Sequence, residues 1–463
     1  MLRSLKLEEK KMDINIIVQM ILMALLAVFI YTFIGFIPGT DETSVLMPIT
    51  LAVVLSGTPP IVVLSFFIAA IVTLNLVNAI PTALVGLPGG VMSSPMMEHS
   101  LFLKEKGLSA IVIKKMAVGS LIGTVIAIPI SLVLANLLAP FGMKIQGVAP
   151  LLFFLGAIFL SLIGKNKVLS LFSIVPMSIL FMGLRHLYWG IGVVPEDTNI
   201  TTSFFLGITI GPLIVSLFNL LNKNRRKKME TEDEKEISIP EDDKTSRSLN
   251  PFKILSKDEM RGAGIGATIV NFIFVLSPVG LTILLGETLS NRIKEPVKRA
   301  TAAITTMSAL AQATYLSGII IPLIAIGIPL SPTAIGPGGA LFNAPPVFSI
   351  ENNIHHLLSG GEFVLAILIG AVIAVSITYY IINRFASRIS KFVLEKIPHE
   401  AILGLFISFI FLLAYMDAGL INIFGVLLIG ITCGSLNKMG VNYGIQFMTL
   451  YAAPFIIEKI ILF

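Results

Sequence analysis

Charge is swept out of most of this chain. Apolar runs follow one another with short polar breaks, while 21 of the 60 charged residues fall in the 39 positions from Lys223 to Arg261. A hydrocarbon core about 30 Å thick needs about 20 apolar residues per crossing helix. Spans are therefore predicted near 14–37, 43–57, 61–79, 117–139, 150–164, 168–184 and 200–221, then near 262–279, 280–290, 301–320, 361–383, 401–416, 421–436 and 443–461. The pattern implies an all-α polytopic protein of the cell membrane, with membrane halves at 1–222 and 262–463 and a charged cytoplasmic linker at 223–261. Only 13% of residues are charged and 55% are hydrophobic; soluble domains carry about 25% charge. An ordinary soluble enzyme and a disordered chain are excluded. The single Cys433 excludes an internal disulfide and offers no metal set. The net charge of +6 comes from basic segments that flank apolar spans without interleaved aromatics, which marks cytoplasmic loops and not a nucleic-acid surface. The first run exceeds the apolar core of a signal peptide, about 7–15 residues, so it reads as the first span.

The two halves echo each other. Gly86-Leu87-Pro88 and Gly327-Ile328-Pro329 stand 241 residues apart, and Pro38 and Pro278 precede them by 50 and 51 residues. Duplication is the simplest reading. Loop charge adds a direction to it. Lys104, Lys106, Lys114 and Lys115 follow the first Gly-x-Pro segment, whereas Glu351, His355, His356 and Glu362 follow the second. Ahead of the third span the contrast reverses: Gly57-Thr58-Pro59-Pro60 against Arg292, Lys294, Lys298 and Arg299. Equivalent loops on opposite sides mean inverted repeats. Arg3, Lys6, Lys10 and Lys11 at the N-terminus run against this assignment.

Two stretches carry most of the chemistry. The first runs from Asn78 through Gly86-Leu87-Pro88-Gly89-Gly90 to Ser93, Ser94 and Pro95; the second, from Ser317 to Gly339, holds Pro322, Pro329, Pro332 and Pro337. A helix interior pays about 3 kcal/mol for proline and about 1 for glycine. Lipid cannot satisfy the backbone groups so released, each worth several kcal/mol. Such segments are expected as re-entrant hairpins or broken helices lining a polar cavity. Their free N–H groups would hold an anion and their carbonyls a cation. Gly86, Pro88, Gly89, Gly90, Ser93, Ser94, Ser317, Gly327, Pro329, Ser331 and Thr333 are the candidate substrate-binding residues. The competing explanation is a Pro/Gly-rich surface loop or a tight kink.

These residues resemble a known family, the TctA-type large permease subunits of tripartite tricarboxylate transporters. The early Pro-Gly element is matched by Gly35-Phe36-Ile37-Pro38-Gly39. The family's Asn-Ile-Pro-Gly-Glu is replaced by Gly86-Leu87-Pro88-Gly89-Gly90, and its Leu-Ile-Pro-Leu-x-x-Leu-Gly-Ile-Pro-Gly-Ser by Ile320-Ile321-Pro322-Leu323-Ile324-Ala325-Ile326-Gly327-Ile328-Pro329-Leu330-Ser331. Gln312-Ala313 stands where the family has Asn-Asn. The resemblance implies secondary uptake of a small carboxylate (mono-, di- or tricarboxylate) driven by Na⁺ or H⁺, with no cofactor. It also implies a small membrane subunit and an extracytoplasmic binding protein as partners, besides membrane lipid. Whether the chain forms a homodimer stays open. The departures remove polar ligands, and neither stretch contains Lys or Arg to neutralise a tricarboxylate.

Residues for ion coupling or for the cavity wall are Asp41, Glu42, Asn75, Asn78, Glu287 and Gln312. Asp41 and Glu42 either bind Na⁺ or relay protons, or favour a helix N-terminus. Glu287 is either an intramembrane coupling carboxylate or an interfacial charge paired with Arg292. Asn75 and Asn78, a turn apart, either face the first hairpin or bond between helices. No catalytic set appears, since the five histidines sit near span ends and no His-Glu-x-x-His or Gly-x-Ser-x-Gly occurs. A secondary transporter working by alternating access is the leading reading. A passive channel or non-transporting scaffold is the alternative, and an intramembrane enzyme the least favoured.

Overall fold

A computed structural model describes residues 14–37, 42–84, 90–164, 166–196, 201–221, 249–276, 278–396 and 399–461, and no strand occurs among them. The first half supplies α1 (Ile14–Gly35), α2 (Glu42–Leu55), α3 (Pro60–Leu84), α4 (Met97–Glu105), α5 (Ser109–Leu138), α6 (Ala149–Ile163), α7 (Lys167–Gly190) and α8 (Thr201–Leu221). The second supplies α9 (Lys257–Phe272), α10 (Pro278–Ser290), α11 (Pro296–Ala325), α12 (Gly360–Lys396), α13 (His399–Lys438) and α14 (Tyr443–Ile461). Prolines open α3, α10 and α11, where a missing N–H costs nothing. At α9, Ser256 and Glu259 cap each other's backbone N–H groups, the reciprocal arrangement that satisfies two orphan donors.

Eight helices are long and apolar enough to cross a membrane, and four shorter apolar helices accompany them among the described residues. Their exposed flanks carry large apolar side chains such as Phe29, Val125, Leu137 and Phe172. Only lipid tolerates so continuous an apolar surface. The chain is a multi-pass integral membrane protein.

Helices α3 and α11 form the axis, each with 94% of its apolar window buried inside the protein, against 33% for α1. The packing around them is reciprocal. On α3 lie α1 and, from the other half, α12; on α11 lie α9, α10 and, from the first half, α5. Small residues permit both crossings. A Cβ at Gly123 of α5 would come within 2.5 Å of the Ala309 carbonyl oxygen, and one at Gly370 of α12 within 2.5 Å of that of Ser65. The connections cross over too. The 3-10 turn Val91–Met96 packs on α10 and α11, and Gly339–Leu341 packs on α2.

A second bundle joins α8 to α13 and sets α14 against α6, α7 and α8. Its tightest crossing uses twin sequences, Gly207-Ile208-Thr209-Ile210-Gly211 and Gly430-Ile431-Thr432-Cys433-Gly434. A Cβ at Gly211 would stand 2.9 Å from the Gly434 nitrogen. The spans predicted at 401–416 and 421–436 meet with no loop. They are two helices within α13, joined at a sharp break at Ala418 and Gly419, where Gly419 takes φ +73°. Helices α5, α11 and α12 run longer than their apolar cores predict, because their charged ends extend beyond the apolar stretch. Most of the linker, 222–248, lies outside the described residues.

Candidate functional site

The first connection is organised by one carboxylate. Glu42, the first residue of α2, is fully buried. It accepts hydrogen bonds from the backbone N–H of Val91 (3.0 Å) and Met92 (3.3 Å) and from Asn78 Nδ2 (3.4 Å). Backbone donors that a short helix leaves unpaired suit an anionic acceptor. Gly90 makes room for it: a Cβ there would fall on Glu42 Oε1 and come within 2.6 Å of Asn78 Nδ2. Ser93 closes the turn, accepting from Gly90 N–H at 3.0 Å and donating to the Gly90 carbonyl at 2.9 Å. Ser94 makes a longer bond to the same carbonyl, 3.5 Å.

Beside this carboxylate lies a small cavity with room for no more than a water-sized guest. Glu42, Asn75, Asn78, Ala79, Met92, Ser93, Met96 and Ser120 line it from the first half, Ser308 and Ala311 from the second. Asn75 is 9% exposed and Asn78 2%. Neither end of the Asn75 amide has a partner among the described residues, nor does Asn78 Oδ1. An unsatisfied buried polar group costs about 1–3 kcal/mol. Two adjacent ones mark a place built to receive something.

The second connection is tied together internally. Gly327 takes φ +76°, and a Cβ on it would strike the His355 ring at 2.8 Å. Asn353, fully buried, donates to the carbonyls of Gly327 (2.9 Å), Phe342 (3.2 Å) and Ile350 (3.2 Å). His355 Nδ1 meets the Leu323 carbonyl at 3.0 Å. The Ser331 hydroxyl donates to the Gly318 carbonyl, caps Ala334 N–H at 3.0 Å and lies 3.1 Å from Thr333 Oγ1. Ser317 bonds back to the Thr314 carbonyl at 3.4 Å. Ser317 and Ser331, offered by the sequence as ligands, bond backbone carbonyls, and Thr333, offered with them, bonds Ser331. Pro329 is buried in the same segment. Gln312 is also buried, next to Ala311 on α11, and neither end of its amide has a partner among the described residues.

Glu287 sits elsewhere. It is 2.6 Å from His99 Nε2 and 3.5 Å from Arg299, with a side chain 40% exposed. The expected pairing with Arg292 is replaced by these two, because α4 brings His99 across to α10. Asp41, Gly86, Pro88 and Gly89 lie outside the described residues. A buried ion pair also joins the halves: Lys115 of α5 meets both oxygens of Glu259, at 2.5 and 2.6 Å. Burial pushes the Glu259 carboxyl up, but the hydrogen bond and charge of Lys115 and the Ser256 N–H outweigh it and hold it below its ordinary value. Among the described residues no three His, Cys, Asp or Glu side chains gather into a metal-ligating cluster.

The sequence reading missed Asn353, Ser120, Ser308, Met92 and Met96. The first announces itself only as an Asn ahead of a short helix. The others lie on faces that become a wall only once α5 crosses α11.

Sequence comparison decides the family, since residues 21–445 match its profile. The chain belongs to the tripartite tricarboxylate transporter TctA family. Membership makes this TctA-family protein a component of a tricarboxylate transporter; the family is one of transporters. A tripartite transporter also implies association with other subunits. No curated protein and no solved structure gives a match that adds to this.

Proposed function

We propose that the protein is the permease of a secondary transporter that carries a small organic anion (a mono-, di- or tricarboxylate) by alternating access, coupled to Na⁺ or H⁺. The two halves act as inverted repeats whose broken segments enclose the transport path. One observation carries this reading: a small cavity, lined from both halves and holding the carboxylate of Glu42, is narrowed to a water-sized guest where the turn at Val91–Met96 meets α2, α3 and α11. A carrier needs such a closed state, and the anion enters when the halves part. Reciprocal packing of α5 on α11 and of α12 on α3 supports the inverted arrangement. A small membrane subunit and an extracytoplasmic binding protein would deliver the anion, and no cofactor is required.

A channel is the second reading. It would be favoured by a continuous pore lined by one ring repeated across subunits; the cavity here is instead narrow and asymmetrically lined. Uptake into proteoliposomes separates the two. A carrier saturates, responds to an imposed Na⁺ or proton gradient and shows counterflow of labelled carboxylate. Linear flux without counterflow would establish a channel. Within the carrier reading Pro329→Ala should cripple uptake while leaving membrane expression nearly intact.

A further inference from the structure

We propose that Glu42, Asn75 and Asn78 hold a single dehydrated sodium ion in the cavity beside α2 and α3. This deepens the transport reading, on which it rests, by naming the coupling ion and its seat.

Three observations point there together. The first is charge. Among the described lining residues Glu42 is the only ionisable one. A wall whose formal charge is a carboxylate selects a cation and repels the anion that the permease carries. The second is the pattern of acceptors. Among the described residues the Asn78 amide spends its donor on Glu42 and its Oδ1 finds no partner; the Asn75 Oδ1, a turn away, finds none either. Amide oxygens next to a carboxylate cannot bond to it, since all are acceptors. They do complete an oxygen shell around a cation. Ser93, itself in the wall, adds a hydroxyl oxygen. The third is size. The space admits a water-sized guest and not a carboxylate molecule. Calcium and magnesium are poorer fits, because calcium takes six to eight oxygens and magnesium keeps several waters in an octahedral shell, for which this space has no room.

Position makes the site a coupling device. Glu42 opens α2, the asparagines lie on α3, and the same carboxylate holds the Val91 and Met92 N–H groups of the broken segment. Sodium would therefore fasten three elements that must move relative to one another when the halves part. A ligand shifts such an equilibrium by its differential affinity for the closed state.

The test measures binding without transport. The full chain is purified in detergent and its thermal unfolding is followed as NaCl replaces choline chloride at constant ionic strength, with KCl as the control. Saturable stabilisation by Na⁺ but not by K⁺ is expected. Glu42→Gln should shift the half-saturating Na⁺ concentration upward by about tenfold or more, since a charge at contact distance outweighs a neutral oxygen. Asn75→Leu, which keeps the volume and removes the amide, should shift it as well and decides the matter if the Glu42 variant fails to fold. An unchanged Na⁺ midpoint in both variants, or no Na⁺ effect on the native protein, overturns the site. Stabilisation by acid in place of Na⁺ also overturns it and makes Glu42 a proton carrier. Carboxylate uptake in proteoliposomes is scored separately: uptake without the Na⁺ shift refutes the site alone, and the Na⁺ shift without uptake refutes the transport reading alone.

Discussion

Gly90→Ala should be among the most damaging small substitutions in this protein. A Cβ at residue 90 falls on Glu42 Oε1 and within 2.6 Å of Asn78 Nδ2, closer than real Cβ contacts come, so the carboxylate must leave. Its departure breaks the bonds from Val91 N–H (3.0 Å) and Met92 N–H (3.3 Å). Hydrogen bonds to a charged group are worth about 1.5–3 kcal/mol each, giving a loss of about 3–6 kcal/mol before any backbone adjustment. The backbone itself raises no objection, because Gly90 is extended, with φ −151° and ψ −178°. The penalty therefore belongs to the collision. Titration of unfolding in mixed micelles measures it, and a double-mutant cycle isolates it. With Glu42→Ala already in place the methyl has nowhere to collide, so Gly90→Ala should then cost about 1 kcal/mol or less, a coupling of about 2 kcal/mol or more. Equal costs of Gly90→Ala in both backgrounds would refute the packing of this carboxylate against residue 90.

Other perturbations have definite outcomes. Glu259→Gln leaves Lys115 buried and charged, so it should cost about 3–5 kcal/mol, while Lys115→Met combined with Glu259→Leu recovers most of that loss, as read by unfolding in detergent. Because the Glu259 carboxyl is held below its ordinary value in the folded protein, the pair stabilises above the unfolded value of about 4.3. That stabilisation should fade as pH falls through the lower folded value, an effect absent from the double variant. Asn353→Ala strips a donor from three buried carbonyls and should cost about 2–4 kcal/mol, with protease sensitivity rising within the Gly327–Asn353 segment. Gly211→Leu drives a side chain into Gly434 and should separate α8 from α13, lowering thermal stability by about 1–3 kcal/mol or more.

Much of the architecture was legible in the sequence because apolar length and proline placement act locally. The run at 14–37 became Ile14–Gly35, that at 443–461 became Tyr443–Ile461, and Pro60 and Pro296 fell in the first turns they suit. The one-turn spacing of Asn75 and Asn78 marked the face of α3 that meets the cavity. What stayed hidden is long-range. Glu42 reaches Val91 across 49 residues, and nothing in either neighbourhood announces it. The bond from the Ser331 hydroxyl to the carbonyl of Gly318, 13 residues away, is likewise invisible in the local sequence. Arg292, one of the alternatives the sequence allowed for Glu287, gives way to His99 and Arg299 because helix crossing and not chain proximity sets the partners. The twin Gly-Ile-Thr-x-Gly elements were readable in principle, since small residues four apart on apolar helices point to close crossings.

Access to the cavity from the two sides of the membrane tests the central claim most directly. Ala311 lines the cavity and the native thiol at Cys433 is fully buried, so Ala311→Cys in a Cys433→Ala background provides a single reporter. Labelling by an impermeant thiol reagent is followed from each side of oriented vesicles. The account predicts labelling from both sides, slowed from both when carboxylate and Na⁺ are present together. Labelling from one side only under every condition, or at rates indifferent to either solute, would contradict it.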